Sequence, residues 1–364
     1  MSTLKSFFKI LSITILLVLI IDFLFGKSVL KIFDPLLSNS QFYKKLIRID
    51  HPVYHHTLRE NIDYKKNVAF EGTYRLCTNN HGFKSKCGKK HEMNYDIAFI
   101  GDSFTEGYAL EYEDTFVGVF EKEKKISTAN LGVVSYSPKI YLSKINYLLD
   151  QGFNFKHIVI FIDISDFYDD TNFYSIDKNL IVKHQDEDRK NLKRKRFLRE
   201  HFPITNFYMY VINNITFKKN LKQSKNNLKP EMAPHVMLKG KWSYSKSDSI
   251  SHYKMGIAKG HEEMKDVMSK LYEILNKKNI QMSIAVYPWP QQLKNDTLNS
   301  IHVEIWRDFC AKKCKNFINY FPIFFEEKNK TSFLEVYKKY YFWNDVHFNK
   351  KGNKLIADKL IEIF

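Results

Sequence analysis

Two short segments carry residues that could act together on a carbonyl carbon. The first is Ile100-Gly101-Asp102-Ser103-Phe104-Thr105-Glu106-Gly107, directly after the apolar run from Asp96 to Ile100. A serine at a strand-to-helix turn stands exposed at the C-terminal edge of a parallel sheet, where open α/β folds collect their ligands. Its own N–H, at a helix start, can face a developing oxyanion. The second segment is Trp343-Asn344-Asp345-Val346-His347-Phe348-Asn349, a few residues before Gly352. Asp345 and His347, two apart on a loop, can aim at one centre, the carboxylate orienting the imidazole. Either segment alone is compatible with an ordinary turn or a surface histidine. Together they hold the parts of a Ser-His-Asp nucleophile.

The elements needed to bring these segments together are legible. Asp96–Gly101 reads as a strand, Glu113–Glu123 as a helix, Ile126–Leu131 as a second strand and Pro138–Leu149 as a second helix. His157–Ile162 is apolar nearly throughout, as a strand buried on both faces must be. After an interruption at 171–250 the rhythm resumes with a helix at Ser251–Lys278, a strand at Gln281–Tyr287, a helix at Asn299–Lys315, a strand at Phe317–Tyr320 and a last helix from about Asn349. Strands alternating with helices imply a parallel sheet with right-handed crossovers. The interruption contains the basic cluster Arg189–Arg196, the aromatic run Phe202–Phe217 and the polar stretch Lys218–Lys229. The basic cluster is either a solvated face or a membrane-surface contact.

With these residues in place, the chain resembles the SGNH (GDSL) hydrolase family. Gly101–Gly107 is similar to the family's nucleophile block, Asn130-Leu131-Gly132 to its second block and Asp345-Val346-His347 with Gly352 to its last. The commoner form of that last block has Asp three residues before His, where Asn344 stands here. The shorter D-x-H form is that of relatives resembling alginate-type polysaccharide O-acetyltransferases. The third block, usually G-x-N-D, reads Asp163-Ile164-Ser165-Asp166, so Ser165 holds the place of the oxyanion-hole Asn. The resemblance implies a three-layer α/β/α, flavodoxin-like fold and no cofactor or metal. It implies Ser103, His347 and Asp345 as catalytic residues, with the N–H groups of Ser103 and Gly132, together with Ser165, as the oxyanion hole. It further implies an acyl ester partner, an O-acetylated envelope glycan or, second, a lipid ester. The segment Val286-Tyr287-Pro288-Trp289-Pro290-Gln291 falls at the same sheet edge. Tyr287 and Trp289 there are either a pocket wall for a sugar ring or core aromatics fixed by proline.

Composition excludes other classes. The 364 residues are 44% hydrophobic and 15% aromatic, enough for a large core and against disorder. The net charge of +17 suggests an anionic partner, yet only eight of the 57 basic residues are arginine. Nucleic-acid recognition favours the arginine fork, so no nucleic-acid partner is expected. The charge instead suits an anionic membrane surface or an acidic glycan. Phe7–Phe25 spans about 28 Å as a helix, close to a bilayer's hydrocarbon thickness. The stretch DFLFGKS after it offers no small-residue cleavage site, which favours a retained anchor over a signal peptide or a buried core helix. Flanking lysines barely decide orientation. The cysteines form two close pairs, Cys77 with Cys87 and Cys310 with Cys314. That count fits an oxidising compartment, with free thiols or a zinc site as alternatives. The organisation expected is an anchor at 1–26, a partly β lead-in at 27–92 and an SGNH-like domain at 93–364 interrupted by 171–250. The catalytic domain is expected outside the cytoplasm. A non-catalytic glycan-binding or scaffolding protein is the rival reading.

Overall fold

A computed structural model describes residues 2–32, 47–69, 72–89, 92–185, 197, 201–205, 208, 239–244 and 255–364. The chain divides into two compact units, Met1–Ile47 with Gln185–Lys229, and Arg48–His184 with Pro230–Phe364. In the first, α1 (Ser2–Ile32) contains the apolar span Lys5–Gly26, long enough to cross a membrane and almost wholly exposed. Asp22 on that helix accepts the N–H groups of Ile204 at 2.8 Å and Thr205 at 2.7 Å. The basic cluster Arg189–Arg196, the stretch Lys218–Lys229 and most of Phe202–Phe217 lie outside the described residues.

The second unit begins with two antiparallel hairpins, β1 (Arg48–His51) with β2 (His55–Leu58) and β3 (Asp63–Ala69) with β4 (Gly72–Cys77). Its centre is a five-stranded sheet of β5 (Asn94–Ile100), β6 (Thr128–Asn130), β7 (Asn154–Ile162), β10 (Gln281–Val286) and β11 (Phe317–Asn319). The small hairpin β8 (Tyr174–Ile176) and β9 (Val182–His184) lies between β7 and β10 in the chain. The sheet order is β11-β10-β7-β5-β6, and every pairing in it is parallel. Between them run α2 (Ser103–Glu106), α3 (Phe116–Lys124), α4 (Pro138–Asp150) and α5 (Ile164–Asn172). There follow α6 (Ile257–Lys277), α7 (Pro290–Asn295), α8 (Ile301–Cys310), α9 (Phe321–Lys330), α10 (Phe333–Tyr340) and α11 (Lys350–Ile363).

The chain steps outward from β5 to β6 and then back past β5 to β7. Right-handed crossovers therefore place α3 and α4 on opposite faces, giving the three-layer α/β/α architecture. β7 at the centre is buried along Ile158–Ile162 and registers with β5 (Ile100 opposite Ile160) and β10 (Val286 opposite Ile162). The reversal of direction between β6 and β7 opens a crevice at the C-terminal ends of β5 and β7. Cys77–Cys87 and Cys310–Cys314 are disulfides, which leaves no free thiol and no cysteine for zinc. Four helices lie where no helix was expected. α5 follows β7 at once, α7 follows β10, and α9 and α10 fill the span between the last strand and the terminal loop.

Candidate active site

The turn carrying Ser103 is built by its neighbours. Asp102 caps α2, its Oδ1 accepting the Phe104 N–H at 2.9 Å. Gly107 closes the turn in the left-handed region at φ 69°, where a side chain would be strained. As the first residue of the turn, Ser103 has an N–H with no acceptor inside the helix. Gly132, past the end of β6, lies against the same turn, and a Cβ there would meet Thr105 Cβ at 2.6 Å and Glu106 N at 2.7 Å. Those neighbours are backbone and the root of a buried side chain, so neither can give way. Gly132→Ala is expected to lose about 1–3 kcal/mol of stability by overpacking, read from chemical denaturation against wild type.

The loop carrying His347 is held as firmly. Tyr337 donates its hydroxyl to the Asp345 carbonyl at 2.8 Å and accepts the Asp345 N–H at 2.9 Å. Phe342 N–H donates to the His347 carbonyl at 2.9 Å, and Asn349 caps α11 through the N–H groups of Lys351 and Gly352. Asp345 Oδ1 accepts the His347 N–H at 2.9 Å and is bonded to His347 Nδ1. On the other side of the ring, His347 Nε2 lies 2.8 Å from Ser103 Oγ, across 244 residues of sequence. Phe104 and Tyr108 pack against the imidazole with centroids 4.9 and 5.2 Å away. Burial opposes the imidazolium, but Asp345 beside it, with Asp163 behind, outweighs that and raises His347 above its ordinary value.

One expected oxyanion donor is otherwise engaged. The Gly132 N–H donates to Asn130 Oδ1 at 3.1 Å, because Asn130 turns its amide in to bond the Thr105 carbonyl at 2.7 Å. The Ser165 N–H donates to Asp163 Oδ1 at 2.7 Å, as an N-terminal residue of α5 does toward its capping carboxylate. The Ser165 side chain stands at the same sheet edge, after β7. Tyr287 and Trp289 form no open wall. They are 1% and 4% exposed, and both point their polar atoms inward, Trp289 Nε1 at 2.8 Å and Tyr287 Oη at 3.2 Å from Asp163 Oδ2. Their rings pack on Phe104 and, for Tyr287, on Phe348. These aromatics support the floor of the site.

Sequence reading missed two contacts. Arg48 of β1 grips Glu106 at 2.7 and 3.0 Å, and Glu106 also accepts the Val134 N–H at 2.9 Å. Ser103 Oγ lies within hydrogen-bond distance of Asp102 Oδ2, at 3.0 Å. Nothing local marks the first pair; the second was legible only as adjacency in the chain.

No protein-family profile matches the chain, and no curated protein does. Solved structures do resemble it. A psychrotrophic esterase, EstA, from Pseudoalteromonas sp. is 13% identical, covering 74% of this chain and 96% of its own, with a TM-score of 0.34. A G-D-S-L family lipolytic protein from Veillonella parvula is 14% identical, covering 74% and 97%, with a TM-score of 0.40. An acetylxylan esterase, Axe2, from Geobacillus stearothermophilus is 11% identical, covering 74% and 93%, with a TM-score of 0.38. Likeness at these scores decides nothing about the chemistry, and the fold stands on the strand order and pairings alone.

Proposed function

We propose that the protein is a serine esterase or acyltransferase of the SGNH type, working through Ser103, His347 and Asp345. One observation carries this reading: Ser103 Oγ at 2.8 Å from His347 Nε2, with Asp345 on Nδ1, at the crevice of a parallel sheet. His347 takes the Ser103 proton as Oγ attacks an ester carbonyl, and Asp345 holds the ring and the imidazolium that forms. The free Ser103 N–H is the first donor to the tetrahedral oxyanion. The Ser165 hydroxyl and the Gly132 N–H, once released from Asn130, are the others. The leaving alcohol receives the proton from His347. Water then completes hydrolysis, or a sugar hydroxyl completes transfer.

The proposed substrate is an O-acetylated envelope glycan, with a lipid ester second. The exposed apolar span Lys5–Gly26 supports a membrane anchor, and two disulfides suit a catalytic domain outside the cytoplasm. A non-catalytic binding role is the second reading, favoured by the engaged Gly132 N–H. The full chain in detergent is tested with a small acetyl ester and with a serine-directed fluorophosphonate. Wild type is expected to turn over and to be labelled once per chain, and Ser103→Ala to do neither. Turnover that persists undiminished in Ser103→Ala overturns the catalytic assignment. A folded wild type that is neither active nor labelled leaves the binding role.

A further inference from the structure

Ser103 has one hydroxyl proton and two partners within reach. Oγ lies 2.8 Å from His347 Nε2 and 3.0 Å from Asp102 Oδ2. Asp102 cannot turn aside, because its other oxygen caps α2 through the Phe104 N–H.

Asp102 is also one of three buried acids. The carboxyl oxygens of Asp102, Asp163 and Asp166 lie within 4.8 Å of one another. His347 faces Asp102 from the terminal loop, Tyr141 from α4 and Tyr287 from the end of β10, and the ammonium of Lys239, bonded to Asp169, acts from farther off. The donors are unevenly shared. Asp163 accepts the Ser165 N–H, the Trp289 indole and the Tyr287 hydroxyl. Asp166 accepts the Tyr141 hydroxyl alone, and its buried Oδ1 has no hydrogen-bond partner. Three buried carboxylates this close do not all ionise. Asp163 has the most donors, and protons stay on the other two. Burial, and then the charge of Asp163, push Asp102 up to about 8, and burial drives Asp166 well above the ordinary carboxylate range.

We infer that Asp102 is a positioning residue that sets the direction of the Ser103 proton. Ionised, it is the stronger acceptor and draws the hydroxyl away from His347. Protonated, it donates to Ser103 Oγ, and the hydroxyl turns to His347, ready for removal. The inference rests on Ser103 being the nucleophile. Reactivity therefore rises with pH as His347 loses its proton and falls again as Asp102 loses its own.

The test is the rate of fluorophosphonate labelling of the full chain from about pH 5 to about pH 10, in wild type and Asp102→Asn, with Ser103→Ala as background. An Asn amide donates to Ser103 Oγ at every pH while its carbonyl keeps the Phe104 cap. Asp102→Asn is expected to keep the acid limb and lose the alkaline one, so that one pH unit above the wild-type midpoint it labels about tenfold faster than wild type. An unchanged bell, or a folded variant slow at all pH, overturns the inference while leaving Ser103 as nucleophile. A wild type that never labels overturns the proposed function and this inference with it. Should Asp102→Asn fail to fold, infrared titration of wild type decides. A protonated-carboxyl band that fades with the alkaline limb supports the inference, and its absence overturns it.

Discussion

His347→Ala is expected to lower kcat by about 10⁴–10⁶-fold with little change in stability. The size follows from the geometry. At neutral pH a serine hydroxyl is a weak nucleophile, and His347 Nε2 is the base bonded to Ser103 Oγ. Alanine removes that base and also strands the Asp345 carboxylate, which remains at the mouth with partial solvent access. Combining His347→Ala with Ser103→Ala is expected to cost scarcely more than either alone, because the residues act as one unit. The wild-type pH profile carries the sign. His347 works when neutral, and the neighbouring carboxylates raise its affinity for a proton, so activity falls as pH drops through a midpoint above that of free imidazole. Asp345→Asn removes the strongest of these charges, and the acid limb is expected to move to lower pH as kcat falls. Steady-state kinetics on an acetyl ester measures all of this. A His347→Ala variant within tenfold of wild type would falsify the base assignment.

What the sequence made legible is what is local. Ser103 sits beside its glycines and after an apolar strand, and Asp345 and His347 are two residues apart, so both halves of the site stood in contiguous motifs. The alternation of buried strands with helices was enough for the sheet, since strands covered on both faces leave no polar gaps. Helix α5 carries three acids, Asp166, Asp169 and Asp170, in nine residues, a pattern too polar to announce a buried helix. In the folded chain all three acids are buried, and Tyr141, Lys239 and Ser137 bond them. The aromatic segment at the end of β10 offered two readings, and the one with the rings inside holds because Asp163 needs their donors. Whether a ring faces solvent or a buried carboxylate depends on contacts more than 100 residues away, and no local pattern records them. The same holds for the Gly132 N–H, whose acceptor is two residues off but whose direction is set by the Asn130 bond to Thr105.

Arg48→Met is expected to cost about 3–5 kcal/mol of stability and to lower activity as well. Glu106 is 1% exposed along its side chain, and its carboxylate is held by the Arg48 guanidinium and the Val134 N–H. Removing the guanidinium leaves a buried negative charge with a single N–H donor, and the penalty is the desolvation of that charge rather than the worth of the pair itself. Arg48→Met with Glu106→Gln is therefore expected to be more stable than Arg48→Met alone, since the glutamine carbonyl still accepts from Val134 and no charge is left buried. High salt should change little, because a buried pair is poorly screened. The activity loss has a separate origin. Glu106 ends the turn that Ser103 begins, and Val134 follows Gly132 by two residues, so this one carboxylate ties the nucleophile turn to the second oxyanion segment. Tyr108, which packs on His347, also lies 6.0 Å under the Arg48 guanidinium. A hairpin far from the catalytic motifs thereby holds both ends of the site in register. Denaturation midpoints of the two single variants and the double, with labelling rates under folded conditions, test this. A loss below about 1 kcal/mol in Arg48→Met, typical of an exposed pair, would show the contact to be dispensable.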